Sequence, residues 1–196
     1  MKDKNTSIYL SAIRITCLLL FAAACRHSYT PKPRGYFRID FPEKEYVYYH
    51  SDCNYMFEYP EYGKIAGVDA PFSEPCWINI EFPRFNSKIH ITYKKMTGDL
   101  SSYSEDIRTI AYKHIVKADD IIETPVIFPE RKVFGIIYEI KGNTASSLNF
   151  YLTDSVDNFL SGALYFNTTP NKDSLAPVIS FFKTDIEHLI ETLEWK

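Results

Sequence analysis

The sequence predicts a single α+β domain in which two amphipathic helices cover a mostly antiparallel sheet. Strand-like segments and two helical segments follow one another along the chain in the order strands, helix, strands, helix. Short turns separate consecutive strand-like segments, which makes those strands antiparallel neighbours. The composition, 45% hydrophobic and 24% charged, is ordinary for a globular protein, and 196 residues can bury a sizeable core.

Four strands are predicted before residue 100, where apolar and polar side chains alternate and β-branched and aromatic residues are frequent. Pro42 and Pro60 interrupt the first two, because proline cannot donate a backbone hydrogen bond to a neighbouring strand. The four predicted strands are Tyr36–Phe41, Tyr55–Tyr59, Trp77–Phe82 and Ile89–Tyr93.

The first helix is predicted after the capping box Ser102-x-x-Glu105. Side chains with helical spacing then fall on one stripe. They are Tyr103, Ile107, Ile110, Ala111, His114 and Ile115.

Three strands are predicted in the second half, at Val133–Ile140, Ser147–Thr153 and Leu160–Phe166. The turns between them, Gly142-Asn143 and Asp154–Asn158, are short enough to make consecutive strands antiparallel.

The second helix is predicted to begin near Ser174, with Pro177 in its first turn, where a missing N–H costs little. Its apolar side chains also recur with helical spacing. They are Leu175, Val178, Ile179, Phe182, Ile186, Leu189, Ile190 and Leu193.

Residues 1–24 are predicted to be a signal peptide. Lys2 and Lys4 supply the positive start, and the apolar run Ile13–Ala24 ends in three alanines directly before Cys25. This site resembles the lipobox of bacterial lipoproteins, with alanine at position 22 where most have leucine. It predicts cleavage before Cys25 and acylation of the Cys25 thiol, for example with palmitate. An ordinary secretory leader with a cysteine beyond its cleavage site remains the alternative.

Residues 25–35 are predicted to be a tether, since Pro31 and Pro33 disfavour helix, and residues 36–196 a single domain. Position 26 is arginine, so the aspartate that retains enterobacterial lipoproteins in the inner membrane is absent, and no acidic run follows Cys25. We therefore expect a lipoprotein on the periplasmic face of the outer membrane. No second apolar run approaches the roughly 20 residues that span a bilayer.

The charge balance argues against nucleic acid as a partner. The formal net charge is −3, and residues 1–24 contribute three basic side chains and one acidic side chain, so the remainder is more acidic still. An acidic domain repels phosphate backbones.

Cys53 and Cys76 remain once Cys17 leaves with the leader and Cys25 is acylated. An even pair in an oxidising compartment predicts a disulfide. Free buried thiols are one alternative, and a metal site that includes His50 is another, although the spacing is a poor zinc signature.

Catalytic, cofactor and metal sites are not predicted, because the known short motifs for them are absent and the five histidines share no ligand spacing. A glycan-binding protein or hydrolase is the alternative function, since aromatic faces stack on sugars and paired carboxylates hydrolyse glycosides. The candidate carboxylates are Glu58, Glu61, Asp69, Glu74 and Glu81.

Two further strings, Asp154-Ser155-Val156 and Asp173-Ser174-Leu175, resemble the O-glycosylation signature of Bacteroidota. The structural interpretation, which we prefer, is a turn at Asp154-Ser155 and a helix cap at Ser174.

Several longer strings resemble the GldD family of gliding-motility lipoproteins of Bacteroidota, from about Pro33 to Trp195. They are CWINIEFP (76–83), KIHITYK (88–94), AYKHIVKAD (111–119), GNTASS (142–147), FLSGALYFN (159–167) and DIEHLIETLEW (185–195). The resemblance implies a periplasm-facing lipoprotein of the gliding machinery, linked to type IX secretion, without catalytic or cofactor residues and without a known small-molecule substrate. The order of elements also resembles the Mog1/PsbP-like α/β/α sandwich.

The two functions predict different surfaces. A non-enzymatic accessory that binds protein components of an envelope complex should expose an aromatic patch. A hydrolase or sugar-binding protein should have a concave pocket with convergent carboxylates and shifted pKa values.

Overall fold

The computed structural model describes Tyr9, residues 14–16, residues 38–50 and residues 52–196. The predicted lipid site at Cys25 and the tether at 25–35 lie outside the described residues, as do Tyr36 and Phe37. Within the described residues, no helix is both long and apolar enough to cross a membrane.

The described part of the chain forms ten strands and two helices longer than a single turn. The strands are β1 (Tyr46–His50), β2 (Tyr55–Pro60), β3 (Lys64–Gly67), β4 (Ile78–Phe82), β5 (Ser87–Lys95), β6 (Ala118–Phe128), β7 (Val133–Gly142), β8 (Ser146–Thr153), β9 (Asn158–Phe166) and β10 (Glu194–Trp195). The helices are α1 (Leu100–Tyr112) and α2 (Lys172–Thr192). Short 3₁₀ turns occupy Pro83–Phe85 and Pro129–Arg131.

Seven strands form one sheet in the order β3-β4-β5-β9-β8-β7-β6, and β1-β2-β10 form a second, smaller sheet. Every pair of neighbouring strands is antiparallel. The α+β class and the antiparallel run β7-β8-β9 predicted from the sequence are therefore confirmed.

One face of the seven-stranded sheet packs against α2 and the small sheet. Leu148, Phe150 and Leu152 of β8 lie in the same core cluster as Phe57 of β2 and Phe182 of α2, and all five side chains are fully buried. Their alternation along β8 assigns them to one face of the strand.

The opposite face of the large sheet lies against α1. Ala111 of α1 packs there with Tyr138 and Ile140 of β7 in a second, smaller cluster. Ala111 is the one buried residue of α1, so this helix covers its face of the sheet only in part.

Four strands were not predicted: β1, β3, β6 and β10. The strand predicted at 36–41 is wrong over its described residues, because residues 38–45 form no regular element and the first strand begins at Tyr46. The sequence of β6 contains Pro125, which argues against a central strand; β6 pairs only with β7, and an edge strand tolerates proline.

The predicted starts of both helices are also corrected. The α1 helix begins at Leu100, and its cap is Asp99, whose carboxylate accepts a hydrogen bond from the backbone N–H of Ser101. The cap of α2 is Asn171, which accepts from the N–H of Ser174, so Ser174 is the donor and not the cap.

Two further predictions about the helices are also corrected. Pro177 lies inside α2 rather than in its first turn, because the helix begins at Lys172. Helix α1 ends at Tyr112, and His114 and Ile115 belong to the turn after it.

Candidate functional site

A cavity of about 350 Å³ lies between α1 and the face of the large sheet that α1 only partly covers. We call it the α1 cavity, and its size is that of a small-molecule site. Its lining residues come from α1, from strands β5, β8 and β9, and from the segment before β4. They are Trp77, His90, Thr92, Lys94, Tyr103, Asp106, Ile107, Ile110, Asn149, Phe150, Phe159, Ser161, Gly162, Ala163 and Tyr165.

Small side chains on the strands leave the space open. Ser161 and Ala163 of β9, together with Thr92 of β5, lie among the lining residues. Elsewhere on the same face, Tyr138 and Ile140 fill the space against Ala111. The cavity therefore forms where the sheet offers α1 too little side-chain volume to pack against.

Aromatic rings form much of the remaining wall, and neighbouring groups hold them in place. Tyr103 packs against Phe159 with ring centroids 5.4 Å apart. The Tyr103 hydroxyl accepts a hydrogen bond of 3.2 Å from the backbone N–H of Thr97. The indole N–H of Trp77 donates to the backbone carbonyl of Tyr93 at 3.2 Å.

Asn149 supplies an unpaired buried donor. Its side chain is 2% exposed, and Oδ1 accepts a hydrogen bond of 2.7 Å from the Ser146 hydroxyl. Nδ2 has no partner among the described residues. A buried donor without an acceptor costs about 1–3 kcal/mol, so the fold leaves this amide group unsatisfied in a place that borders a cavity.

His90 adds a neutral acceptor to the same wall. Its Nδ1 lies 2.8 Å from Oδ1 of Asn79, so Nδ1 carries the proton and Nε2 keeps a free lone pair. Burial lowers the pKa of His90, and the nearby charge of Lys88 lowers it further, which keeps the imidazole uncharged at neutral pH. Beside it, the hydroxyls of Thr92 and Ser161 form a hydrogen bond of 2.7 Å.

Charged side chains at the α1 cavity are confined to Lys94 and Asp106, which are both exposed. None of the five carboxylates considered from the sequence lines it. Glu58 instead pairs with Nε2 of His188 at 2.6 Å. The sequence thus anticipated a concave site as one alternative, but the convergent carboxylates expected with it are not at this cavity.

Cys53 and Cys76 form a disulfide with their Cα atoms 5.9 Å apart. Cys53 lies just before β2 and Cys76 just before β4, so the bridge links the starts of these two strands. The Tyr55 hydroxyl donates to the carbonyl of Cys76 at 2.9 Å. The two alternatives, free thiols and a metal site with His50, do not hold in this structure. Among the described residues, no group of three or more His, Cys, Asp or Glu side chains could hold a metal ion.

A second polar cluster surrounds Asp185 of α2, whose side chain is fully buried. Its carboxylate accepts hydrogen bonds from the hydroxyls of Tyr46 and Tyr62 and forms an ion pair with Lys44 at 2.7 Å. Lys44 also donates to the carbonyl of Phe181 at 2.8 Å. The two charged groups are paired with each other, so this cluster fastens the chain before β1 to α2.

The expected aromatic patch stays a prediction. The most exposed large apolar side chains of the described region lie in separate segments: Phe72 between β3 and β4, Val116 after α1, and Val156 in the turn between β8 and β9.

The turn between β8 and β9 is the one predicted at Asp154-Ser155, and Ser155 adopts a φ of 70° there.

Comparison with known proteins gives one family. The family model described as gliding motility lipoprotein GldD matches residues 26–195. No curated protein matches the chain. Among solved structures, the solution structure of cyanobacterial PsbP (CyanoP) from Synechocystis sp. PCC 6803 is similar, with 12% identity over 79% of this chain and 95% of that chain and a TM-score of 0.48.

Proposed function

This chain belongs to the gliding motility lipoprotein family GldD, and from that premise we propose that it is a non-enzymatic accessory of the gliding machinery, anchored by lipid on Cys25. The folded domain faces the periplasm, preferentially from the outer membrane. There it binds protein components of the envelope complex that links gliding to type IX secretion.

The extent of the family match carries this proposal. It begins at residue 26, directly after Cys25, and runs to residue 195, so it includes the whole described fold from 38 onwards. The residues before the match have the charge, apolar run and small side chains of a leader. Acylation of the first residue after such a leader would place the domain at a membrane surface. Stable anchoring would require more than one acyl chain on that residue.

The chemistry of the α1 cavity supports a binding role rather than catalysis. Asp106 is the single carboxylate among its lining residues, whereas glycoside hydrolysis usually employs two carboxylates on either side of the scissile bond. His90 is held by Asn79 and borders no serine or cysteine hydrogen-bonded to it, so the nucleophile–base pair of acyl transfer is not formed among the described residues.

Substitution at the predicted lipid site tests the proposal. The variant Cys25→Ser should lose metabolic labelling by palmitate, leave the membrane fraction and abolish gliding. Cys17→Ser is the matched control, because this cysteine lies in the predicted leader and should leave labelling and gliding unchanged. Gliding that persists with the Cys25→Ser protein released from the membrane would overturn the role of the anchor.

Partner binding needs a separate measurement. Crosslinking in intact cells, followed by identification of the adducts, should recover components of the gliding and secretion complex. Secretion of a type IX cargo should fall in cells that lack this protein. Normal secretion in a strain that no longer glides would limit the role to motility.

A further inference from the structure

We propose that the α1 cavity binds an uncharged, N-acetylated sugar, whose apolar face stacks on the aromatic wall and whose acetamide oxygen accepts a hydrogen bond from Asn149. This inference goes beyond the accessory role, and it does not depend on the lipid anchor or on gliding.

The unpaired amide of Asn149 is the first argument. Nδ2 is a donor without a partner among the described residues, on a side chain that is 2% exposed and borders the α1 cavity. Nδ2 is itself buried, so a ligand acceptor would meet it once the Asn149 amide turns towards the cavity, and the contact would then recover the hydrogen bond that the fold leaves unmade. The carbonyl oxygen of an acetamide group is such an acceptor, and its methyl group suits an apolar surrounding.

The two kinds of wall are the second argument. Trp77, Tyr103 and Tyr165 offer aromatic surface, and Ile107 of α1 adds an aliphatic side chain. Amphipathic ligands place an apolar face on such rings and turn their polar edge towards hydrogen-bonding groups. A pyranose ring has this division, because its axial C–H groups form a face and its hydroxyls lie around the edge.

The absence of interior charge is the third argument and selects an uncharged ligand. The polar groups on the strands are the Asn149 amide, the His90 imidazole and the paired hydroxyls of Thr92 and Ser161. The hydroxyls of Thr92 and Ser161 can both donate and accept hydrogen bonds, as sugar hydroxyls require. Lys94 and Asp106 have opposite charges and are exposed, so they would not favour an ionic ligand of either sign.

Tryptophan fluorescence tests the proposal directly. The chain has two tryptophans, and Trp195→Phe leaves Trp77 of the cavity as the only one. This variant of the full protein, purified in a detergent without a sugar headgroup, is titrated with N-acetylglucosamine and, separately, with glucose. N-acetylglucosamine should produce a saturable change in Trp77 emission, and glucose, which lacks the acetamide, should bind at least about tenfold more weakly.

Two substitutions in the same background locate the site. Asn149→Ala removes the donor, and Ala163→Leu, directly opposite Asn149 in the pairing of β8 with β9, fills the space beside it; each should weaken binding of N-acetylglucosamine at least about tenfold. Ser87→Ala is the matched control, because the Ser87 hydroxyl is also buried and unpaired but does not line the α1 cavity. Thermal unfolding of each variant checks that it is folded.

Three results would overturn the proposal. The first is no saturable change in folded protein, and the second is equal affinity for the two sugars. The third is efficient photo-crosslinking to a protein from position 110, at the cavity, that N-acetylglucosamine does not reduce. That result would make the cavity a docking site for a protein side chain.

Discussion

The ammonium group of Lys44 lies 2.7 Å from the carboxylate of Asp185, and the two residues join the segment before β1 to the middle of α2. The Asp185 side chain is fully buried, whereas Lys44 keeps about a quarter of its side chain exposed. The ammonium also lies 3.3 Å from the centroid of the Phe181 ring. A charge in this position is stable only with its partner, because burial without pairing is costly.

Asp185→Ala should therefore destabilise the protein strongly. It removes the carboxylate that pairs with Lys44 and accepts from Tyr46 and Tyr62, and the loss of one partner of a buried pair costs about 3–5 kcal/mol. Urea unfolding measures the change. Glu191→Ala, an exposed acidic position on the same helix, should change stability by less than about 0.5 kcal/mol. Similar effects of the two variants would contradict a structural role for the Asp185 cluster.

The same cluster predicts a loss of stability at alkaline pH. Burial raises the pKa of Tyr62, and its hydrogen bond to Asp185 and the charge of that carboxylate raise the pKa further. Above about pH 10 the unfolded chain releases the phenolic proton while the folded chain keeps it, so stability falls as the pH rises.

Comparison with Tyr62→Phe isolates this effect. Burial lowers the pKa of Lys44 in the folded protein, so the unfolded chain holds this proton more tightly. Lys44 therefore makes the stability rise with pH in the same range, opposite to the effect of Tyr62. The variant is expected to be less stable at neutral pH but to lose less stability between about pH 9 and 11 than the parent protein. Equal slopes for the two proteins, measured by urea unfolding at each pH, would rule out Tyr62 as the source.

Asp154 organises the turn between β8 and β9 and predicts a loss of stability in acid. Its Oδ1 accepts from the backbone N–H groups of Val156, Asp157 and Asn158 at 2.9 Å each. Burial alone would raise the pKa of Asp154, but the hydrogen bonds from Asn158, Val156 and Asp157 outweigh it and hold the pKa below its usual value. The stability that Asp154 supplies is present above the unfolded pKa and is lost as the pH falls through the folded pKa.

Asp154→Ala should remove this acid-dependent part. Hydrogen bonds to a charged group are worth about 1.5–3 kcal/mol, so a loss of that order is expected at neutral pH. The difference between parent and variant should shrink below about pH 4, where the carboxyl group becomes protonated. The neighbouring exposed Asp157 serves as the control, because Asp157→Ala should show no such convergence.

The disulfide predicts a specific result in a double-mutant cycle. Closing a loop with a sequence separation of 23 residues should stabilise the fold by roughly 3–4 kcal/mol on the chain-entropy model. Cys53→Ala and Cys76→Ala should therefore destabilise equally, and the double variant should cost no more than either. Additive effects of the single changes, measured by urea unfolding without reductant, would show that the two cysteines do not act as one unit.

The sequence predicted those parts of the fold in which local pattern and tertiary position agree. Strands β7, β8 and β9 are rich in aliphatic and aromatic residues, as buried strands are, and their short turns fix the order of pairing. The edge strand β6 escaped prediction because Pro125 and the acidic pair Asp119 and Asp120 are atypical of a strand, although they suit a partly solvated edge.

The sites were harder to predict because they join residues that are distant in sequence. Nothing in the local sequence connects Lys44 to Asp185. The position of Asp185 in the helix does not by itself decide between the buried and the exposed face. The α1 cavity left a weak signal in Ser161 and Ala163, which are small residues on alternate positions of a strand. That signal becomes informative only when α1 is known to lie over them.

The 3₁₀ turns in two hairpins place different residues in the same strained backbone position. Each turn begins with Phe-Pro and ends in a left-handed residue: Asn86 with φ 47° and ψ 45°, and Lys132 with φ 53° and ψ 43°. Asparagine tolerates this conformation better than lysine, which has the usual steric cost of a non-glycine side chain there.

Lys132→Asn should therefore stabilise the protein, by about 0.5–1 kcal/mol, since the backbone is already in the conformation that asparagine favours. The reciprocal change Asn86→Lys should destabilise it by more than this, because Nδ2 of Asn86 also donates to the carbonyl of Asn167 at 2.7 Å. Thermal unfolding of both variants measures the two effects. A Lys132→Asn protein no more stable than the parent would mean that the lysine pays no conformational cost in this turn.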